Sequence, residues 1–261
     1  MKQFFIAQTL LVSPACAQQA ALTLEDLSRL KTADVVIVGE VHDNPTHHAA
    51  QVQIVQAIVP SALVIEMLGQ EDAEKLAADP AGFADRWAET GWPDFQMYLP
   101  VFQAHDGPVI GAAVPRDVAR ATYADGVEAH FQGDAVAYGL TEALPEDQHE
   151  QRVELQFQAH CEAMPREMMG GMIEVQRLRD ATLAAGVVQA VTDTGGPVVV
   201  ITGNGHARKD WGVPAYLARV ASEMTVISVG QGEDGVPPEG GFDIVLDAPT
   251  PDRPDPCAQF K

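Results

Sequence analysis

The chain has 261 residues, 46% of them apolar, and carries 37 acidic against 16 basic side chains, a formal net charge of −21. Phosphate backbones and anionic lipid surfaces repel such a chain, so neither nucleic acid nor an anionic membrane surface is an expected partner. The length suits one large domain with a substantial core.

Residues 1–17 read as an export signal. Lys2 is a short charged region, residues 4–12 are apolar but too few to span a bilayer, and Ala15-Cys16-Ala17 offers a small-x-small pattern for cleavage after Ala17. The alternative is a lipoprotein signal with Cys16 lipidated, although Ser13 stands where such signals usually carry leucine. Either way the mature chain is expected outside the cytoplasm, periplasmic or lipid-anchored to the outer membrane. Processing leaves Cys161 and Cys257, which an oxidising compartment could join, although the sequence does not show that they meet.

Leu22, Leu24, Leu27 and Leu30 have helical spacing and lead into a first strand. Residues 35–38 are four consecutive β-branched side chains, the pattern of a strand buried on both faces, and Gly39 is expected to let the backbone turn. Glu40, His42 and Asp43 then fall just past the carboxyl end of that strand, the edge where open α/β sheets bind ligands. Asn44 is a ready cap and Pro45 a first helical residue, which puts His47 and His48 in the first turn of a helix over 46–58. That helix is expected to turn Val52, Ile54, Val55, Ile58 and Val59 inward and to stop at Pro60.

Residues 62–66 repeat the opening design, an apolar strand ending in Glu66. A β-helix-β unit of this length implies a right-handed crossover and parallel strands, so Glu40 and Glu66 share one sheet edge. Residues 69–106 read as short helices in which Trp87 and Trp92 are expected in the core. A third strand covers 109–113, with Arg116 following at the same edge. Residues 147–186 look helical, broken at Pro165, and hold His160 and several methionines that suit either core or an adaptable apolar pocket.

Residues 197–206 restate the first strand: apolar residues, two glycines, then His206. Gly-x-x-His thus occurs at Gly39 to His42 and at Gly203 to His206, each time after a buried-strand pattern. Residues 225–229 and 242–246 are two further strands around a Gly- and Pro-rich loop at 230–241. The expected fold is α/β, a mainly parallel sheet flanked by helices, as one domain over 22–248 with helical insertions at about 69–106 and 147–186 and a proline-rich tail at 249–261.

The strand ends offer Glu40, His42, Glu66 and His206. Imidazole and carboxylate together suit a divalent transition metal such as Mn, Co or Zn, and a spare carboxylate, Glu40 or Glu66, could serve as general base in a metal-dependent hydrolase. The same histidines could equally be hydrogen-bonding core residues. His105, His130 and His149 read as surface residues.

Gly39-Glu-Val-His-Asp-Asn44 with His47, His48 and Gln51, then Val64-Ile-Glu-Met67, residues 92–100 with Tyr98, residues 176–180, and Gly203-Asn-Gly-His206 together resemble the ChaN-like haem-binding family over about residues 30–230. The wider group contains the TraB, Tiki and erythromycin-esterase proteins. The resemblance implies an exported haem-binding protein of iron uptake, often a lipoprotein working with an outer-membrane system. It also implies a homodimer with haem at the interface, a tyrosine on the iron and a partner histidine near the propionates. On that basis Tyr98 is the candidate axial ligand and Tyr123 its competitor; His47, His48 and His160 are pocket candidates; Arg116 or Arg166 would pair a propionate. The Tiki-like relatives look like metal-dependent proteases, which would assign His42, His206 and Glu40 or Glu66 to a metal.

Overall fold

The computed structural model describes residues 22–258; the export-signal expectation at residues 1–17 lies outside them. Six strands, β1 (Val35–Glu40), β2 (Ala62–Ile65), β3 (Val109–Gly111), β4 (Val198–Gly203), β5 (Val226–Glu233) and β6 (Ile244–Ala248), form one sheet in the order β3-β2-β4-β1-β5-β6. Every pairing between these strands is parallel. Strands that are all parallel must return through crossovers that cover both faces, which explains the unbroken apolar runs of β1 and β4 at the centre.

The first group of helices is α1 (Leu24–Leu30), α2 (Pro45–Ile58), α3 (Gln70–Ala78), α4 (Ala84–Ala88) and α5 (Phe95–Gln103). They bury Ile54, Leu76, Trp87 and Phe102 against Val36, Val38, Ile65 and Ile201 of the sheet. The second is α6 (Arg116–Asp125), α7 (Glu146–Ala159), α8 (Met169–Thr194), α9 (Asn204–Ala207) and α10 (Val213–Val220). On this side Leu183, Val187, Ala207 and Leu217 meet Val35, Ile37, Val64 and Val200. Alternate residues of each strand thus face alternate helical layers, as the two-residue period requires.

Several local expectations change. β1 does not turn at Gly39 but continues through Glu40; glycine is needed there because a Cβ would collide with the Asn204 side chain at the start of α9. β5 runs on to Glu233 through glycines that had suggested a loop. Gly230 stands against the Phe242 ring, so a side chain is excluded by packing rather than by a turn. Val59 caps α2 in the left-handed conformation (φ 52°) and is exposed instead of inward. Asn44 and Pro45 start α2 as expected, the Asn44 side chain accepting from Thr46 N at 3.0 Å. Cys161 and Cys257 are joined by a disulfide.

Candidate functional site

Parallel register brings the carboxyl ends of β1, β2 and β4 side by side, with Glu40 paired to Gly203 across the β1–β4 ladder. Glu40 is buried here and saturated with donors. Its Oε1 accepts from His42 Nδ1 at 2.6 Å and from the Tyr98 hydroxyl at 2.7 Å, and its Oε2 accepts from Gln51 Nε2. A carboxylate held by three donors is a positioning group. It fixes the proton of His42 on Nδ1, so that in the neutral ring Nε2 carries the lone pair, and among the described residues Nε2 makes no hydrogen bond. The His42 side chain is 29% exposed, and its ring packs on Trp92 at 4.6 Å between centroids. Burial disfavours charge on His42, but the Glu40 hydrogen bond and the charges of Glu66 and Glu40 outweigh it and raise the pKa.

Across the edge, His206 is held the same way. Its Nδ1 donates to Asp180 of α8 at 2.6 Å, and its Nε2 lies 3.5 Å from Glu66 Oε1. Glu66 Oε2 accepts from Thr202 Oγ1 at 2.7 Å and Gly203 N at 2.8 Å. Burial opposes ionisation of Glu66, yet His206, His42 and these hydrogen bonds prevail and hold it down at about 2. Burial likewise opposes charge on His206, and Glu66 and Asp180 overcome it, pushing the imidazole up to about 9. Burial raises Asp180, opposed by His206 and Arg152. Among the described residues no three His, Cys, Asp or Glu side chains are grouped as the ligands of one metal ion.

Above this floor opens a cleft of about 570 Å³, lined by His42, Glu66 and His206 below, by Trp92 on one side, and by Leu155, Ile173 and Arg179 of the α7–α8 pair on the other. Arg152 and Trp211 close its far end, the guanidinium lying 5.0 Å from the indole centroid. Arg179 makes no hydrogen bond or ion pair among the described residues. An adjoining hollow of about 380 Å³ shares Glu66, Trp92 and Arg179 with the cleft and is lined on its other side by Arg116.

The residues named from sequence therefore divide. Glu40, His42, Glu66 and His206 meet at the cleft floor, and Arg116 stands on the neighbouring hollow. Tyr98 lies beneath the floor, wholly buried, its phenol donating to Glu40; burial first and then Glu40 push its pKa well above the usual range. His47 is interior, its Nδ1 accepting from Val41 N at 2.9 Å and its Nε2 donating to Gly232 O at 3.1 Å. Burial lowers its pKa. His48 Nε2 bonds the His42 carbonyl at 3.0 Å. His160 caps α7 through its own Nδ1 on Gln156 O at 2.7 Å and stands outside the cleft, as do Arg166, paired with Glu154, and Tyr123, bonded to Met168 O. Trp92, expected in the core, is a cleft wall, whereas Trp87 is core.

Sequence reasoning gave no role to Asp180, Arg179, Arg152 or Trp211. The available signal was the cluster Gln176, Arg177, Arg179 and Asp180 around Leu178, ahead of the apolar second half of α8. A charge on a buried helix face demands a partner.

No protein of curated function matches the chain. Among solved structures, ChaN of Campylobacter jejuni superposes with a TM-score of 0.67 at 19% identity, covering 86% of this chain and 91% of that one. The type III effector HopBA1 gives 0.48 at 9% identity over 85% and 91%, and a succinoglycan biosynthesis protein gives 0.47 at 13% over 81% and 70%. The first of these likenesses agrees with the parallel α/β sheet described above. The profile of one family matches residues 27–217, most of the described chain, and the protein therefore belongs to the haem-binding uptake family of the Tiki superfamily, ChaN.

Proposed function

We propose that this chain is an exported haem-binding protein of haem and iron uptake, and that haem occupies the cleft above β1, β2 and β4. One observation carries the reading: a carboxylate-oriented imidazole, His42, presents an unpaired Nε2 beside a cleft with aromatic and aliphatic walls and an unpaired arginine. Haem asks for those three things, a donor atom for iron, apolar faces for the macrocycle and cations for its propionates. His42 would hold the iron, Trp92 and Ile173 would flank the ring, and Arg179 with Arg116 would take the propionates. Tyr98, the ligand expected from sequence, would act through Glu40 in this arrangement.

Membership of the family supports haem, and ChaN of Campylobacter jejuni is described as binding haem cofacially. Two haems face to face call for two copies of a chain like this one, which supports a homodimer on haem binding. The signal-like residues 1–17 and the Cys161–Cys257 disulfide support export into an oxidising compartment, periplasmic or lipid-anchored, in partnership with an outer-membrane uptake system.

Titrating the apo-protein with haemin tests the reading. A saturable Soret shift is expected, lost in His42→Ala and weakened about tenfold in Arg179→Gln, the scale of one partly buried ion pair. No saturable shift, or a His42→Ala protein that binds as well as the parent, would overturn it.

A second reading is favoured by the symmetry of the floor. Both His42 and His206 have Nδ1 fixed by a carboxylate, as metal-binding imidazoles commonly do, with Glu66 paired to His206. To hold a divalent ion His206 would have to lose its proton and the three side chains draw together, since they are not grouped as ligands here. Such an ion would supply Lewis acidity to a hydrolase, with Glu40 and Asp180 orienting its ligands. Stoichiometric Mn, Co or Zn lost on His206→Ala, with no haemin binding, would favour it.

A further inference from the structure

Behind the wall made by Arg152 and Trp211 lies a second pocket, about 310 Å³ and open to solvent, bordered by α7, α8, α10 and the chain around residues 138–145. Its lining gathers Arg152, Arg177 and Arg219 in a chain whose net charge is −21. Three guanidinium groups around one small cavity are unexpected against that background.

Arg152 is the unusual member. It is 5% exposed, and its one hydrogen bond runs from Nη2 to Gln148 Oε1 at 3.2 Å. Its Nε is buried without a partner, and among the described residues no carboxylate stands within ion-pair distance. A guanidinium offers five N–H donors, so nearly all of this one is unspent in a place where an uncompensated charge is costly. Burial draws its pKa down, while the charges of Asp180 and Tyr216 oppose that shift from beyond contact.

The other two arginines shape the cavity. Arg177 is committed to Glu174 and to the carbonyls of Gly139, Leu140 and Glu142, which fixes the loop that lines one side of the pocket. Arg219 reaches the mouth from α10, its side chain 44% exposed. The two acids of the lining are already neutralised, Asp210 by a two-point contact from Arg208 and Glu142 by Arg219. With Arg177 paired to Glu174 and Arg219 to Glu142, Arg152 is, among the described residues, the one cation of the lining left without a carboxylate partner, and the charge it adds favours an anion.

We propose that this cavity is a binding site for a small carboxylate or phosphate anion, which Arg152 holds as its missing counter-charge while Gln148 and Arg219 close on it from the mouth. A volume of about 310 Å³ admits a small organic acid or phosphate and lies at the lower limit of ordinary ligand pockets. Arg152 borders both this pocket and the cleft, so the proposal is separated from the haem reading at Arg219, which lines this pocket and not the cleft.

The test is calorimetric titration of the purified chain, without haem, using succinate, citrate and inorganic phosphate separately at matched ionic strength. Saturable binding of at least one, near one per chain, is expected, and the probe that binds distinguishes carboxylate from phosphate. Arg152→Gln and Arg219→Gln should each weaken it about tenfold or more. Arg219→Gln, at the exposed mouth, should keep the circular dichroism spectrum and haemin titration of the parent. Absence of saturable binding by all three probes at millimolar concentration, or unchanged binding in the folded Arg219→Gln protein, would overturn the proposal.

Discussion

At the scale of single residues, the floor of the cleft is a set of side chains that hold one another in place. Tyr98 and Gln51 spend their donors on Glu40, and Glu40 in turn fixes the His42 ring. Removing the Tyr98 hydroxyl takes one buried charge-assisted bond and leaves two. Tyr98→Phe should cost about 1–3 kcal/mol in urea unfolding while haemin binding persists. Loss of haemin binding with unchanged stability would instead make Tyr98 a ligand.

The pair Glu66 and His206 predicts a pH dependence. His206 is raised from 6.5 to about 9, so its stabilisation is fully present below pH 6.5 and is lost as pH rises through about 9. Glu66 is depressed from 4.5 to about 2, so its contribution is present above pH 4.5 and is lost as pH falls through about 2. The thermal midpoint of the apo-protein should therefore decline from pH 6.5 to 9, and His206→Gln should flatten that decline although it lowers the whole curve. Parallel curves would show that His206 is not the titrating group.

At the scale of elements, the tail after β6 is a strap. Pro249 O accepts from Asn44 Nδ2, Arg253 bonds Asp43 and Glu233, and Cys257 is joined to Cys161 just beyond the end of α7. Residues 253–257 therefore tie the β1–α2 turn to the α7–α8 pair that walls the cleft. Replacing both cysteines by serine should cost about 2–4 kcal/mol. Amide exchange should accelerate at the end of α7 and the start of α8 and stay slow in β1 and β4. Equal acceleration in the central strands would mean that the bridge supports the whole fold rather than this wall.

The same scale shows what could be read from sequence. β1, β2 and β4 were legible because a strand buried on both faces is an unbroken apolar run. The chemistry placed after each run, Glu40, Glu66 and His206, necessarily falls at one edge of a parallel sheet. The start of α2 was legible because Asn44 and Pro45 act within their own turn. Residues 176–180 stood out as a segment, but the roles of Asp180 and Arg179, like that of Arg152, were not legible, since they depend on how α7 and α8 lie across the sheet. Glycines misled for a related reason: Gly39 and Gly230 answer to Asn204 and Phe242, remote in sequence, rather than to a turn.

At the scale of the molecule, an all-parallel sheet gathers the polar ends of its central strands beneath a helical pair, and the family to which the chain belongs binds haem. The central claim is that this edge, and no other surface, receives the iron. Diffraction from a haemin complex, recorded at the iron absorption edge, locates the metal directly. The account predicts an anomalous peak within coordination reach of His42 Nε2, with electron density for propionates near Arg179 and Arg116. A peak at Tyr123 or elsewhere outside the cleft, in a protein that binds haemin stoichiometrically, would contradict it.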